Sequence, residues 1–171
     1  MTIAAESRTK SIKLSVNKFL SDATVAGGAL VGITFNFQNS WFSPDTPTEL
    51  DQWVDVSPIQ EMAGAKGAYL LQLDIYGRTK DDRFRDEIDI IKDKICNRLN
   101  VNRIKIWDFT NAGVPCNTGR WLIPINSNGQ VGIREDCTYF DMVEGIVRCG
   151  LRFRFMRLTD LSKGRYCPSK G

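Results

Sequence analysis

Four consecutive residues, Arg152, Phe153, Arg154 and Phe155, carry the clearest chemical pattern in the chain. On an extended strand neighbouring side chains point to opposite faces, so this run sets two arginines on one side and two phenylalanines on the other. A row of guanidinium groups suits a polyanion such as DNA, gripped by its phosphates without any reading of bases. The same run also fits a half-buried strand whose phenylalanines enter the core. Its arginines then pair across the sheet with Asp74 or lie along Tyr76. Both readings demand a strand with one wet face and one dry face.

Other chemistry is thinly supplied. The chain contains no histidine. That removes the commonest general base and excludes Ser-His-Asp and Cys-His catalysis. A Ser-Lys or carboxylate-pair mechanism stays open in principle. The carboxylates that gather are Asp81, Asp82, Asp86, Glu87 and Asp89. They fall at the start and on the polar face of an amphipathic helix, where acids are ordinarily just solvated. No Gly-x-Gly-x-x-Gly or Gly-x4-Gly-Lys-Ser/Thr phosphate loop occurs, and the spaced acids of a calcium loop are missing. The five cysteines, Cys96, Cys116, Cys137, Cys149 and Cys167, include no Cys-x-x-Cys pair. A zinc site would need widely scattered thiols to converge, so reduced, mostly buried thiols are expected. No catalytic residue, cofactor or metal is expected.

A chain of 171 residues makes one ordinary domain and buries about 70% of its unfolded surface. It therefore needs no disulfide or metal to hold a core. With 42% hydrophobic and 25% charged residues it has the composition of a globular protein. The net charge of +3 is too small to argue for nucleic acid, but its distribution is uneven. From Arg148 onward seven basic residues face one acid, Asp160. The first ten residues lack the apolar run of a signal peptide, and no stretch approaches the roughly 20 apolar residues that span a bilayer. The expectation is a protein kept in a cytoplasm, with no membrane partner.

Hydrophobic spacing then places the elements. Ile12, Val16, Phe19 and Leu20 predict a helix over 6–20, with Arg8, Lys10, Lys13 and Lys18 opposite. Leu30 to Phe37 and Trp53 to Val56 read as strands. Between them runs a polar loop holding Pro44, Pro47 and the large apolar pair Trp41 and Phe42. Gly67 to Tyr76 alternates strictly and is the clearest strand. Phe84, Ile88, Ile91, Ile95 and Leu99 make an apolar stripe on a helix over 81–99, which Asp81 or Asp82 can cap. Strands follow over 103–109 and 121–125. Asn126 to Gly129 is a turn signal, and 130–134 would complete a hairpin. The long strand over 144–158 comes last. The fold expected is α+β, a mostly antiparallel sheet with two main helices packed on one face, in a single domain over 1–161. A basic flexible tail is expected over 162–171.

The order and texture of these elements resemble the tail terminator, or minor tail protein, family of long-tailed bacteriophages. Three stretches carry the resemblance. The first is the short N-terminal helix with the strand and aromatic, proline-containing loop after it, Phe35-Asn36-Phe37 through Trp53-Val54. The second is the long strand Gly67 to Gly77 that runs into the helix near Asp81. The third is the late strand ending Arg-Phe-Arg-Phe, where that family closes its sheet. The resemblance spans most of 6–158, and the hairpin and tail have no matched place in it.

What the resemblance implies is a virion structural protein and not an enzyme. Such a protein forms a homo-oligomeric, hexameric ring that ends the tail tube and joins it to the head. Its partners would be the tail tube protein, a head-neck connector protein and genomic DNA passing through the lumen without sequence reading. Its place would be the neck of the virion, after assembly in the host cytoplasm. Ring contacts of this kind are heterologous, one surface of a subunit matching a different surface of its neighbour. Trp41 and Phe42 are the candidate subunit interface, as apolar groups on a polar loop. Arg152 and Arg154 are the candidate lumen-facing basic residues. A head-completion or stopper subunit of the neck is the nearest alternative. A sheet-based nucleic-acid-binding module is a further one. It needs aromatic rings on the arginine face, and Phe153 and Phe155 point the other way. A strongly perturbed carboxylate in a deep pocket would reopen an enzymatic reading.

Overall fold

The computed structural model describes residues 5–38, 50–78, 84–101, 103–109, 115–125, 140–143 and 145–159. In chain order they form α1 (Ala5–Asp22), β1 (Phe35–Phe37), β2 (Gln52–Val56), β3 (Gln60–Glu61), β4 (Ala68–Arg78), α2 (Phe84–Val101), β5 (Ile104–Asp108), β6 (Cys116–Ile125), β7 (Phe140–Val143) and β8 (Ile146–Thr159). The strands join one sheet in the order β1-β2-β4-β8-β6-β5, with β3 beside β4 and β7 beside β8. Every pairing is antiparallel except β1 with β2. An α+β single domain with a mostly antiparallel sheet is thus what the alternation and helical spacing predicted.

The period of two decides which side of the sheet is dry. On β4, Tyr69, Leu71, Leu73 and Ile75 are buried, and on β8 so are Val147, Cys149, Leu151, Phe153 and Phe155. The two sets lie directly opposite one another, Leu71 against Phe153 and Tyr69 against Phe155. The arginines between the phenylalanines therefore face outward. The apolar stripes of the helices, Ile12, Val16 and Leu20 on α1 and Ile88, Ile91, Ile95 and Leu99 on α2, enter the same hydrophobic cluster. At Gly77 the approach of α2 is close: a Cβ there would lie 3.1 Å from Ile88 Cδ1.

Both helices turn their apolar stripes into that cluster, but they meet different strands. α2 lies on β4, whereas α1 lies along β5 and also touches β1. Those two strands are the opposite ends of the strand order. The sheet must curl to bring both ends to one helix, so α1 bridges its opening. One contact shows how an edge strand is closed this way. The backbone N–H of Trp107 on β5 donates to Ser15 Oγ of α1 at 2.9 Å, and that hydroxyl donates to the carbonyl of Ser11 at 2.6 Å. Ser15 is buried, so without this acceptor an edge N–H would be stranded away from water.

Two strands begin at places that differ from expectation. Only 35–37 of the expected Leu30–Phe37 strand is extended. Before it the chain winds through turns, in which Leu30 N–H donates to Ala23 O and Ile33 N–H to Leu30 O. Gly28 permits the tight path, since a Cβ there would meet Ala23 O at 2.2 Å. Alternation alone could not distinguish this buried turn, with Leu30 and Ile33 pointing inward, from a strand. Strand β6 starts at Cys116, inside what reads as a Gly/Pro/Asn loop. Gly119 takes a positive φ of 67°, and the register with β5 shifts between Ile106 and Trp107. That is a bulge, which lets loop-like residues stay in the ladder. Helix α2 starts at Phe84. The proposed caps Asp81 and Asp82, the 126–134 turn and hairpin, and the 162–171 tail lie outside the described residues.

Replacing Ser15 by alanine leaves the Trp107 N–H without its acceptor and should cost about 1–3 kcal/mol of stability. Urea unfolding followed by circular dichroism measures that loss.

Candidate functional site

The outward face of the sheet gathers the residues with chemistry. Beginning at the β1 edge, Asn36, Asp55 and Asp74 sit side by side on adjacent strands, and Gly150 is next on β8. Asp55 and Asp74 are each 6% exposed, two buried carboxyls directly opposite across a strand pair, an arrangement that is destabilising without compensation. The compensating donors come from β1, β4 and β8. Asn36 Nδ2 donates to Asp55 Oδ1 at 3.0 Å, Gln72 Nε2 to Asp74 Oδ2 at 3.1 Å, and Arg148 Nε to Asp74 Oδ1 at 3.1 Å. Gln38 also stands by the Asp55 carboxyl and favours its charged form, though its Nε2 finds no well-aligned acceptor. Burial outweighs these bonds and the Arg148 charge, and with the Asp74 charge it holds the Asp55 pKa above its ordinary 3.8.

Aromatic rings continue the face on either side. Trp53 of β2 stacks on Tyr76 of β4 with centroids 5.1 Å apart, and the Arg78 guanidinium lies 5.5 Å above the Trp53 ring. Arg148 reaches to 6.0 Å from the centre of Tyr76. Toward the far edge, Lys105 Nζ sits 4.7 Å from the ring centre of Trp107 and 5.7 Å from that of Trp121. Cation–π contacts of this kind order the rings and the ammonium together.

Between these zones stand Arg152 and Arg154. Arg152 is exposed and Arg154 half-buried, opposite Gln72 and Leu70 of β4. Neither makes an ion pair or hydrogen bond among the described residues. The cross-strand pairing that the sequence offered for these two arginines exists, but Arg148 makes it, binding Asp74 and lying along Tyr76. Trp41 and Phe42, the candidate interface pair, lie outside the described residues. Of the helix carboxylates, Asp86 and Glu87 are exposed. Glu87 accepts a hydrogen bond from Gln52 Nε2, and Asp89 lies 3.7 Å from Lys92 Nζ. The expectation that acids on α2 face solvent holds for Asp86 and Glu87. Cys96, Cys116 and Cys149 are buried.

No family model matches the chain, and comparison with curated proteins finds no match. None of the described helices is long and apolar enough to cross a membrane.

Asp55, Arg148 and the tryptophans beside Lys105 are the parts of this face that sequence reasoning missed. Asp55 lies between Val54 and Val56, a single acid in an apolar strand, and that isolation was the available signal. Its partners are set by register with β1, β4 and β8, which the sequence does not state. A raised carboxyl beside an arginine-held one is the pattern that separates acid from base roles in enzymes. Here Asn36 of β1 reaches Asp55 of β2 and Arg148 of β8 reaches Asp74 of β4, so the cluster's evident work is to tie β1, β2, β4 and β8 together.

The pH dependence follows from the direction at Asp55. Its folded pKa is raised, so between 3.8 and the raised value the folded state binds more protons than the unfolded state. Stability from this group falls as pH rises through that window. Asp55→Asn should therefore gain on the wild type as pH climbs through the window, and the difference between them should be constant above it. Asp74→Asn removes the Arg148 partner instead and should destabilise by about 1–3 kcal/mol at neutral pH. Denaturant unfolding of both variants from pH 4 to 8 tests the two signs.

Proposed function

We propose that this chain is a virion structural subunit of the tail-terminator kind, which assembles into a closed, hexameric ring on a phage tail tube, ends its growth and presents a surface to the head-neck connector, with genomic DNA passing through the lumen. The observation that carries the reading is the place of β8. The resemblance rests on a long strand leading into a helix and a last strand ending Arg-Phe-Arg-Phe that closes the sheet. In the structure β4 precedes α2 directly, and β8 pairs with the whole of β4 from Ala68 to Arg78 while its other edge takes β7 and β6. The chemistry of the outward face is consistent with this role. Its carboxyls are absorbed in bonds across and along the strands, and its arginines offer charge and no reactive proton.

Native mass spectrometry over a concentration series, with negative-stain imaging, tests the proposal. The expected result is a closed ring with six-fold symmetry, formed by the subunit alone or on added tail-tube protein. A subunit that stays monomeric under both conditions overturns it.

A second reading has an observation of its own. A nucleic-acid-binding sheet needs rings on the arginine face, and although Phe153 and Phe155 point inward, Trp121 lies directly opposite Leu158 of β8 and so shares the face of Arg152 and Arg154. On that reading, single-stranded oligonucleotides bind with an affinity that falls steeply with salt. Fluorescence anisotropy at two ionic strengths measures it, and Trp121→Ala should weaken binding by about 1–3 kcal/mol.

A further inference from the structure

The outer ridge of α2 and the Arg152/Arg154 strip lie on different sides of the sheet, since the apolar stripe of α2 enters the core that the phenylalanines of β8 face. α2 seats Ile88, Ile91, Ile95 and Leu99 in the core. At about 100° per residue the side of the helix farthest from that stripe is occupied by Asp86, Ile90, Asp93 and Asn97. All four are exposed, and Ile90 is 54% exposed, a branched apolar side chain standing between two acids. Neither Asp86 nor Asp93 makes an ion pair or hydrogen bond among the described residues. The ridge therefore has two acids without an ion pair among the described residues around an apolar centre, with the exposed Lys94 at its flank.

The opposite side of the molecule shows the complement. Arg152 and Arg154 stand outward from β8 with no ion pair or hydrogen bond among the described residues, and Leu70 and Gln72 beside them are half-buried. The dimensions agree. Asp86 and Asp93 are seven residues apart on a helix, about 10 Å. Arg152 and Arg154 are about 7 Å apart on a strand, and their long side chains span the difference. Two copies meeting ridge to ridge, or strip to strip, would set like charges together. Two copies meeting ridge to strip set unlike charges together, with Ile90 over Leu70. Matching of one face to a different face of the same molecule is a heterologous contact, which gives a ring where the rotation between copies closes and a filament where it does not.

We infer that the subunit seam is a front-to-back contact in which the Asp86–Ile90–Asp93 ridge of one copy seats on the Arg152/Arg154 strip of the next. This rests on the ring reading above, and it moves the two arginines from the lumen to the seam. The partner is a second copy of this chain.

Charge reversal tests it. One variant carries Arg152→Glu and Arg154→Glu, the other Asp86→Lys and Asp93→Lys. These side chains lie outside the hydrophobic core, so each variant should keep the wild-type circular dichroism spectrum and melting temperature. Each alone should form rings about tenfold less readily or worse. An equal mixture should restore rings, because each variant then finds its complement only in the other. The two must alternate, so the restored rings should hold equal numbers of each and an even total, read directly by native mass spectrometry. Rings from the wild type and from both variants alone would overturn the seam while leaving the ring reading intact. Rings lost in both variants and not restored by mixing would overturn the pairing of these two faces. A wild type that forms no ring with or without tail-tube protein would overturn the ring reading and the seam with it.

Discussion

The pairing of β4 with β8 is the constraint on which the rest of the structure depends. Eleven residues of each strand lie in continuous register, Ala68 opposite Met156 through Arg78 opposite Ile146. The side-chain period is two, so this register fixes the assignment of every residue on both strands to the dry or the wet side. A slip of one residue would drive Arg152 and Arg154 into the space of Phe153 and Phe155. The core residues of both helices are then recruited to the side on which the phenylalanines lie. The polar cluster of Asp74 and Arg148 forms on the other side because the same register places them within reach.

The second organising feature is the way the curl is closed. The two ends of the strand order converge on α1, and the helix meets β5 with the hydroxyl of Ser15 as well as with apolar side chains. An amphipathic helix would ordinarily meet a sheet by its face alone. Here α1 also serves a strand edge, and this accounts for buried serines at Ser11 and Ser15 on the otherwise apolar side of the helix. The outward face of the sheet meanwhile supports a second, polar set of contacts across β1, β2, β4 and β8. The sheet is thus fastened on both sides by different chemistry, dispersion and burial within, charge and hydrogen bonds without.

The sequence disclosed the long elements and concealed what depends on register. β4, β8 and α2 were legible because each repeats its spacing long enough for one period to prevail. β1 was drawn too long because Leu30 and Ile33 are buried from a turn, and inward apolar residues alternate in a turn as they can in a strand. The start of β6 was not legible because Asn117-Thr118-Gly119 has loop composition, and it stays in the ladder with Gly119 at a positive φ and Thr118 Oγ1 donating to Ile106 O. The outward arginines at 152 and 154 were legible from alternation. That Arg148, and neither of them, would hold Asp74 was not legible, since it depends on how residues 74 positions apart in the chain come opposite one another. Asp55 was missed for the same reason.

The central strand β8 is also the last of the described strands to be synthesised. While the chain is still emerging from the ribosome, β2, β3 and β4 can associate with one another, but the long edge of β4 that will receive β8 has no partner in the growing polypeptide. An unpaired edge of eleven residues, with Tyr69, Leu71, Leu73 and Ile75 beside it, is the kind of template on which neighbouring chains join. Production of the protein is therefore sensitive to timing in a way that its finished shape conceals. A pause in translation before β8 prolongs the one interval in which the sheet is open at its middle, and rapid completion of the chain closes it.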